Sequence, residues 1–335
     1  MRCGDNFMTI YDSAKAVNVS PSTVSRVLNN KPGVNAETRK RILKYLDDQH
    51  YSPNESARGL ATKSSKLIGI LMGQSKRYQT WECMQYLEPE LTSDGYGYIV
   101  YSECVNDEIK VEKIKTLSQR RVEATVMIGS TFESKAVENA IQKYLTDVPV
   151  FMTNGYLDLP NVYSVLTDEQ NGMINCVKLL ASKGRRRLAY INGETSPGAL
   201  RRQEGFSMGM KLFFPQTEEI IFESEYSIDC AGRVTIDLIK KYPDIDGIIY
   251  SDDMLAAGGI HALFQNNITV PDQISVIGVN NSIYTQICRP TITALETNIP
   301  DVNQTVSRLL TDRLHGKKIS KRTMILSSIV EREST

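Results

Sequence analysis

The sequence has no segment that predicts membrane insertion or export. An apolar run of about 18 residues, the length needed to span a bilayer, is missing from its 335 residues. The first residues, MRCGDNFMTIYD, also lack the apolar core of a signal peptide. We therefore expect a cytoplasmic protein that has no membrane partner.

Disulfide and zinc patterns and the common enzyme motifs are missing as well. The 6 cysteines and 3 histidines are scattered, with no CxxC pair and no zinc-ligand spacing. The sequence contains no P-loop, no GxSxG elbow and no GxGxxG run after its first apolar strand. These absences predict a protein without metal or cofactor, and they argue against the enzyme classes that those motifs mark.

What the sequence does contain is a charge asymmetry hidden by a formal net charge of zero. Residues 1–66 hold 11 Lys and Arg against 6 Asp and Glu, whereas residues 67–335 hold 28 against 33. A small basic segment therefore precedes an acidic body long enough to bury a sizeable core. Such a segment suits a polyanion partner, although a surplus of this size is common in other proteins.

The basic segment begins with a pattern typical of two short helices around a tight turn. Thr9 can cap a first helix over about Ile10 to Ala16, and Asn18 suits the left-handed centre of the turn. Ser20 can cap a second helix that begins at Pro21, where a missing N–H has no cost. The inward positions of the two helices are Ile10, Ala14, Val17, Val24, Val27 and Leu28, and the outward positions of the second are Ser22, Thr23, Ser25 and Arg26.

A third helix is predicted from Asn35 to His50, with Asn35 as its cap. Its packing positions are Ile42, Leu43, Tyr45 and Leu46, and its basic residues are Arg39, Lys40, Arg41 and Lys44. Three helices in this order form a helix-turn-helix headpiece whose second helix can enter a major groove. A solvated polar face is the ordinary alternative for one helix alone, and the third helix weakens it.

These residues resemble a known family over a long and specific stretch. The run TIYDSAKAVNVSPSTVSRVLNNKPGVNAETRKRIL, followed by YSPNESARGLAT, resembles the headpiece and hinge of LacI/GalR-type regulators. The similarity continues through IYSDDMLAAGGIHAL, PDQISVIGVNN, RPTITAL and VEREST, the last of which resembles the family's C-terminal strand. The resemblance implies a sequence-specific DNA-binding transcriptional regulator that acts at the nucleoid and is not an enzyme.

The resemblance also implies a hinge helix over Asn54 to Ala61 that folds on operator DNA, with Leu60 as a wedge in the minor groove. An apolar wedge kinks the duplex at a cost of a few kcal/mol, which extra contacts offset. Gly59 lowers the helix propensity of this segment, so we expect it to fold only on DNA. An ordinary glycine-containing linker is the alternative.

DNA contacts are expected on the headpiece and the hinge. Arg26 can reach a guanine edge or a phosphate, and Lys31 and Arg39 can contact phosphates. Pro21 and Ser22 stand where relatives carry longer base-reading side chains, which favours readout of DNA shape. The expected DNA-binding residues are Thr9, Ser20, Pro21, Ser22, Thr23, Ser25, Arg26, Asn29, Asn30, Lys31, Tyr51, Asn54, Arg58 and Leu60.

From Lys66 onward, short apolar runs alternate with helix-like stretches, which predicts an α/β body with parallel sheets. The eight predicted strands are LIGILM, YGYIVY, ATVMIG, VPVFMT, VYSVLT, RLAYING, IDGIIY and ISVIGV. Two doubly wound subdomains of the periplasmic-binding-protein type fit this number better than one sheet. The expected divisions are the headpiece at 8–53, hinge and linker at 54–65, a first subdomain at 66–165 with about 293–325, and a second at 166–292 with about 326–335.

Ligands of such folds bind beyond the carboxyl ends of the strands, so a cleft is expected where the two subdomains face each other. The segments expected there are GQSKRYQTW, TNGY, NGETSPGALRRQEG, SDDM and NNSIYTQ. By resemblance, the effector contacts are Asn154, Arg202, Asp252 and Asn280, with Tyr226 at a position that is often aromatic. Arg202 is chosen over Arg201 because it lies three residues before Gly205.

Asp252 and Trp81 leave alternatives open. Asp252 or Asp253 can cap a helix instead of binding ligand, and at least one is expected to do so. Tyr78 and Trp81 follow the first strand and can border the cleft, but a core or interface role suits Trp81 equally well.

Asn154 and Asn280 stand where many relatives carry Asp. An amide donates and accepts hydrogen bonds without a buried unpaired charge, and Tyr226 can stack on a pyranose ring. With the uncharged lining that we expect, the hypothesis is a neutral mono- or oligosaccharide effector.

The resemblance implies a homodimer that represses carbohydrate-utilisation genes from a near-palindromic operator. Effector binding would change the angle between the subdomains and so disrupt or permit the hinge helices. The sequence leaves open whether the effector releases or recruits DNA, and release is favoured. Three rivals are a transport sugar receptor, an enzyme acting on sugars or nucleotides, and a DNA-binding protein whose body only dimerises.

Overall fold

The computed structural model describes residues 8–28, 30–49, 51, 64–74 and 77–335. The chain divides into two compact units, Met1–Ser65 and Lys66–Thr335, which we call the headpiece and the body. The predicted hinge at Asn54 to Ala61, including Arg58 and Leu60, lies outside the described residues, as does Asn29.

The headpiece contains the three predicted helices, α1 Ile10–Ala16, α2 Pro21–Leu28 and α3 Ala36–Asp48. Thr9 caps α1 through a capping box with Asp12, and Asn35 caps α3 by accepting from the Thr38 amide at 2.7 Å. Asn18 has the left-handed φ of 52° expected of the turn. These contacts span three residues or fewer, which is why the sequence predicts them.

The headpiece core is formed by one inward stripe from each helix. Its buried members are Ala14, Val17, Val24, Val27, Ile42 and Leu46, and the partly buried side chains of Ile10, Val19, Leu28, Val34, Tyr45 and Tyr51 pack against them. The expectation that Leu43 packs inside is wrong, since its side chain is 48% exposed. Ile42 and Leu46 occupy the inward face four residues apart, so Leu43 points outward.

The body contains twelve strands within the described residues. They are β1 Leu67–Met72, β2 Gly97–Tyr101, β3 Ala124–Ile128, β4 Val150–Thr153, β5 Val162–Thr167, β6 Leu188–Asn192, β7 Ile220–Glu223, β8 Gly247–Tyr250, β9 Ser275–Val279, β10 Thr293–Glu296, β11 Arg322–Ile325 and β12 Ser328–Val330. One sheet has the order β11-β5-β4-β3-β1-β2 and the other β12-β10-β9-β8-β6-β7. All pairings are parallel except that of β10 with β12.

Helices cover both faces of each sheet. The helices of the body are α4 Tyr78–Ser93, α5 Asp107–Gln119, α6 Lys135–Tyr144, α7 Glu169–Ser182, α8 Pro197–Phe213, α9 Ile228–Lys241, α10 Asp253–Gln265, α11 Tyr284–Ile287 and α12 Ile299–Leu314. The first sheet has α4 and α12 on one face and α5 and α6 on the other. In the second subdomain, α9 and α10 lie opposite α7 and α8. None of the helices in the described ranges is long and apolar enough to cross a membrane.

The chain passes between the two subdomains three times, after β5, after β10 and between β11 and β12. The expected boundary near 293 is wrong, because β10 pairs with β9 and β12 in the second sheet, and the return comes after Glu296. The expected C-terminal strand in VEREST is also displaced. The strand is Ser328–Val330, and Ser334 beyond it makes separate hydrogen bonds with Thr291 and Val276.

Without their last strands, both sheets have the order 2-1-3-4-5, in which the strand order reverses beside the first strand. The reversal lies between β1 and β3 in one sheet and between β6 and β8 in the other. The loops after these four strands diverge there and leave a crevice at the carboxyl ends. The fold thus brings four loops to one place.

Candidate functional site

The headpiece presents the polar face of α2 to solvent. Ser22 and Arg26 are exposed, and the Ser20 hydroxyl lies 2.7 Å from that of Ser22 and 2.8 Å from that of Thr23. The Thr23 amide also donates to Ser20 Oγ at 3.2 Å, which caps the helix. Exposed hydroxyls and a guanidinium on one helix face suit hydrogen bonding to phosphates and base edges.

The segment after α2 is held by a side chain from α3. Arg39 donates to Asn30 Oδ1 at 2.9 Å and to the Lys31 carbonyl at 2.7 Å, while Asn30 adopts a φ of 50°. Its guanidinium therefore has a structural role here in addition to the phosphate contact expected from the sequence. Lys31 is exposed, whereas Tyr51 packs against the headpiece core.

A cavity of about 450 Å³ lies between the two subdomains at the carboxyl ends of both sheets. This volume falls within the range of about 300–1,000 Å³ typical of small-molecule pockets. Its walls come mainly from the segments after β1, β3, β4, β6 and β8.

Arg202, on α8, is a buried cation of the cavity wall, with 7% of its surface exposed. Its two terminal nitrogens donate to Glu169 Oε2 and Glu194 Oε1, both at 2.7 Å. Burial opposes the charge of Arg202, but the two carboxylates outweigh it and raise the pKa well above its usual range. Burial alone would raise the pKa of Glu194, but the positive charges of Arg202 and Arg77 outweigh burial and bring this pKa below its ordinary value. Both groups are therefore ionised at neutral pH.

Contacts between the subdomains close the cavity. Arg77, just before α4, pairs with Glu194 on the opposite wall, and Arg201 makes two 3.0 Å bonds with Glu133. Ser130, after β3, accepts from the Gly198 amide at 2.9 Å at the start of α8. Side chains of both subdomains thus meet directly around the cavity.

Asp252 is the centre of a second cluster at the cleft. Its Oδ1 caps α10 by accepting from the Met254 amide at 2.8 Å and also accepts from the Tyr226 hydroxyl at 3.2 Å. Its Oδ2 accepts from Asn280 at 3.2 Å and from Gln79 of the first subdomain. Burial dominates and raises the pKa of Asp252 above its ordinary value, although the hydrogen bonds from Gln79 and the Met254 amide and the charge of Arg77 oppose it.

Comparisons with known proteins agree with this architecture. Residues 9–54 match the model described as bacterial regulatory proteins, lacI family, and residues 177–335 match that of a periplasmic binding protein-like domain. An HTH-type transcriptional regulator of Lachnoclostridium phytofermentans is 28% identical over 98% of this chain and 99% of its own length. The chain belongs to the LacI family of transcriptional regulators.

Other LacI-family proteins are similar over the whole chain. A ribose operon repressor of Halalkalibacterium halodurans is 28% identical over 98% of this chain and 97% of its own. A crystal structure of the lac repressor dimer bound to operator and an anti-inducer has a TM-score of 0.86 at 22% identity, covering 98% of each chain. This LacI-family protein is accordingly a DNA-binding transcriptional regulator with an effector-binding domain, in a family that is not enzymatic.

Of the effector contacts expected for this LacI-family chain, Asn154, Arg202 and Asn280 line the cavity. Asn154 Oδ1 accepts from the Thr167 amide at 2.8 Å, and Asn280 Oδ1 accepts from Thr297 at 3.2 Å. Both asparagines have a positive φ, 51° and 98°, a conformation that Asn tolerates better than most residues. Part of each amide is therefore used to hold the loop in place.

The other expected contacts, Tyr78, Trp81, Tyr226 and Asp252, are not part of the described lining of the cavity. Tyr226 cannot offer both ring faces to a sugar, because the Arg77 guanidinium lies 4.3 Å from its centroid. Tyr78 packs edge-on against Tyr284 with ring centroids 6.4 Å apart, and Trp81 on α4 is 47% exposed. Asp252 caps α10 and joins the two subdomains.

Two further expectations about the cavity need correction. Its lining is not uncharged, since Arg77, Lys110, Glu133, Glu169 and Glu194 join Arg202 on the walls. The loop after β3, which contributes Gly129, Ser130, Thr131, Glu133 and Ser134 to the lining, is not among the segments expected from the sequence. The signal for this loop is the predicted strand ATVMIG, because ligand sites of such folds follow strand ends.

Proposed function

We propose that this LacI-family regulator is a homodimeric repressor of carbohydrate-utilisation genes whose operator affinity falls when a neutral mono- or oligosaccharide occupies the cavity. The operator would be near-palindromic, and the hinge with its wedge Leu60 would couple the effector to the DNA.

The observation that carries the effector class is the pairing of charges in and around the cavity. Arg202 pairs with Glu169 and Glu194, Arg77 with Glu194, Arg201 with Glu133, and Lys110 with Asp107. Four cations thus have four carboxylates as partners. A charged ligand would enter this site without a counter-charge, whereas a neutral ligand needs only hydrogen bonds.

Neutral hydrogen-bonding groups complete the lining, namely Gln74, Gln79, Thr80, Ser130, Thr131, Ser134, Thr153, Asn154, Thr195, Ser196, Ser251, Asn280 and Thr297. Hydroxyls and amides donate and accept, so they can match a polyol whose own hydroxyls do both. The volume of about 450 Å³ leaves room for a mono- or disaccharide with water.

Names of relatives point in the same direction. One relative is a ribose operon repressor. A LacI-family regulator from Enterococcus faecium was crystallised with bound ribose; it has a TM-score of 0.70 at 21% identity and covers 80% of this chain and 98% of its own.

Homodimerisation is supported by large apolar side chains that the chain leaves exposed, including Phe264 at 76% and Ile287 at 64%.

The experiment combines DNA binding with a sugar panel. Operator DNA is selected from a random duplex library with the full chain, and its affinity is measured by fluorescence anisotropy with each sugar present. We expect at least one neutral sugar to weaken DNA binding and to raise the melting temperature of the protein.

The matched variants for this experiment are Arg202→Lys and Arg187→Lys. Lysine keeps the buried charge but loses the guanidinium fork, so Arg202→Lys should weaken sugar binding by about tenfold or more. Arg187 pairs with Glu218 away from the cavity, so its variant should bind sugar like the wild type. Unchanged sugar affinity in Arg202→Lys would contradict the placement of the effector, and a panel in which no sugar stabilises the protein would favour a body that only dimerises.

A further inference from the structure

Glu194 connects two arginines that belong to different subdomains. Its Oε1 accepts from Arg202 on α8 at 2.7 Å and from the Ser196 hydroxyl at 2.6 Å. Its Oε2 pairs with Arg77, which precedes α4 in the first subdomain. Glu194 lies on the cavity wall with 14% of its side chain exposed.

Arg77 and Arg202 supply the guanidinium groups of the described cavity lining, whereas the Lys110 ammonium pairs with Asp107 and donates to the Thr131 carbonyl. A guanidinium binds carboxylate or phosphate through parallel N–H donors. Both terminal nitrogens of Arg202 already donate to Glu169 and Glu194, while Arg77 donates to Glu194 and stacks on Tyr226. The chain's own carboxylates therefore occupy the positions that an anionic effector would need.

The charges of this cluster balance only when Glu194 is present. Arg77 and Arg202 supply two positive charges, and Glu169 and Glu194 supply two negative ones. Without the carboxylate of Glu194, Arg77 would lose this ion-pair partner, and the buried, ionised Arg202 would keep only Glu169 of its two carboxylates. An anion would then be attracted to the site that is now neutral.

We propose that Glu194 is the residue that makes this cavity selective for uncharged effectors, because it takes the place of an anionic ligand group between Arg77 and Arg202. This inference rests on the proposed function in that the cavity is taken to be the effector site. It goes further by naming the residue that excludes phosphorylated and carboxylated sugars.

The test uses the full chain and inorganic phosphate as the probe, with chloride at equal ionic strength as the reference. Wild-type protein should show no phosphate-specific rise in melting temperature. In Glu194→Gln, calorimetry should detect phosphate binding at least about tenfold tighter than any binding to the wild type. Because each comparison is made within one variant with and without phosphate, a general loss of stability does not hide the gain.

Three further variants separate selectivity from a merely structural role. Glu194→Asp keeps the charge and should exclude phosphate like the wild type, and Glu218→Gln removes a carboxylate from an arginine pair outside the cavity and should do the same. Adding Arg202→Lys to Glu194→Gln should weaken the new phosphate site, since a lysine cannot form the parallel pair of bonds. Phosphate binding by the wild type that Arg202→Lys weakens, or no gain in Glu194→Gln, would overturn the proposal.

The outcome is distinguishable from that of the proposed function. If no neutral sugar binds the wild type but Glu194→Gln gains phosphate binding, the proposal of a sugar effector is refuted, whereas the proposal that Glu194 excludes anions stands. If a neutral sugar binds and Glu194→Gln gains nothing, the sugar effector stands and the selectivity proposal fails.

Discussion

The headpiece and the cleft of the body use arginine in opposite ways. Arg26 on α2 is exposed on a face of short hydroxyl side chains, where water screens its charge. Arg202 on α8 is buried and paired with two carboxylates from other segments of the second subdomain. The first arrangement leaves a cation available for a polyanion. The second uses a cation to stabilise the fold around a cavity whose charged groups are paired.

The difference separates recognition from stability in this molecule. A screened charge contributes little to folding, so its loss should affect mainly the partner that it binds. A buried charge with two partners cannot be removed without leaving those partners uncompensated. The variants below test this separation, beginning with the largest expected effect on stability.

Arg202→Ala should lower the free energy of unfolding of the body by about 3–5 kcal/mol. The reason is that Glu169 and Glu194 would remain as close carboxylates in a buried site, with only Arg77 to compensate them. Urea denaturation followed by circular dichroism measures the change. Arg201→Ala, next to it, is the matched control and should cost less than about 1 kcal/mol, since the Arg201 side chain is 40% exposed. Equal losses in the two variants would remove the contrast between buried and exposed arginines.

The second prediction concerns acid. The pKa of Glu194 is lower in the folded protein than its ordinary value of 4.5, so its ionised form stabilises the fold above pH 4.5, and this contribution is lost as the pH falls through the lowered pKa. Stability of the wild type should therefore decline below about pH 4.5. Glu194→Gln should be less stable at pH 7, and the gap to the wild type should narrow in acid.

Asp252→Asn is the control for that experiment, because its stability relative to the wild type should change with pH in the opposite direction. Burial raises the pKa of Asp252 above its ordinary value of 3.8. The protonated carboxyl therefore contributes its full stability below pH 3.8, and this contribution is lost as the pH rises through the raised pKa. Asp252→Asn should therefore gain stability relative to the wild type as the pH rises from 3.8 towards neutrality. A parallel pH profile for the wild type and both variants would show that neither carboxylate is coupled to folding.

The same contrast explains how much the sequence could predict. The headpiece depends on contacts such as Thr9 with Asp12 and Asn35 with Thr38, three residues apart, so caps and helix bounds follow from local pattern. The cleft depends on Arg77 with Glu194 and on Gln79 with Asp252, which the sequence separates by more than a hundred residues. No local pattern encodes such pairs, and the charged lining of the cavity was missed for that reason.

Strand prediction shows a similar division. The eight predicted strands are present because long apolar runs such as LIGILM are buried on both faces of a parallel sheet. Of the strands that the sequence does not predict, β7, β11 and β12 contain exposed positions, whereas β10 is buried at three of its four positions but has only Ala294 and Leu295 as apolar residues. Their apolar signal is correspondingly weak, so the sequence does not predict these strands, and the expected subdomain boundary near 293 falls before β10 instead of after it.

The smallest expected change in stability is that of Arg26→Ala, which should alter the free energy of unfolding by less than about 0.5 kcal/mol, as at other exposed positions. Its affinity for selected operator DNA should nevertheless fall by about 1–3 kcal/mol if Arg26 reads a base. Anisotropy titrations at several salt concentrations distinguish the two possible contacts. Loss of a phosphate contact lowers the slope of log affinity against log salt concentration by about one and weakens binding to all DNA sequences alike. Loss of a base contact instead relaxes specificity at one position of the operator. Unchanged DNA affinity would show that exposure alone does not make an arginine of this headpiece available to DNA.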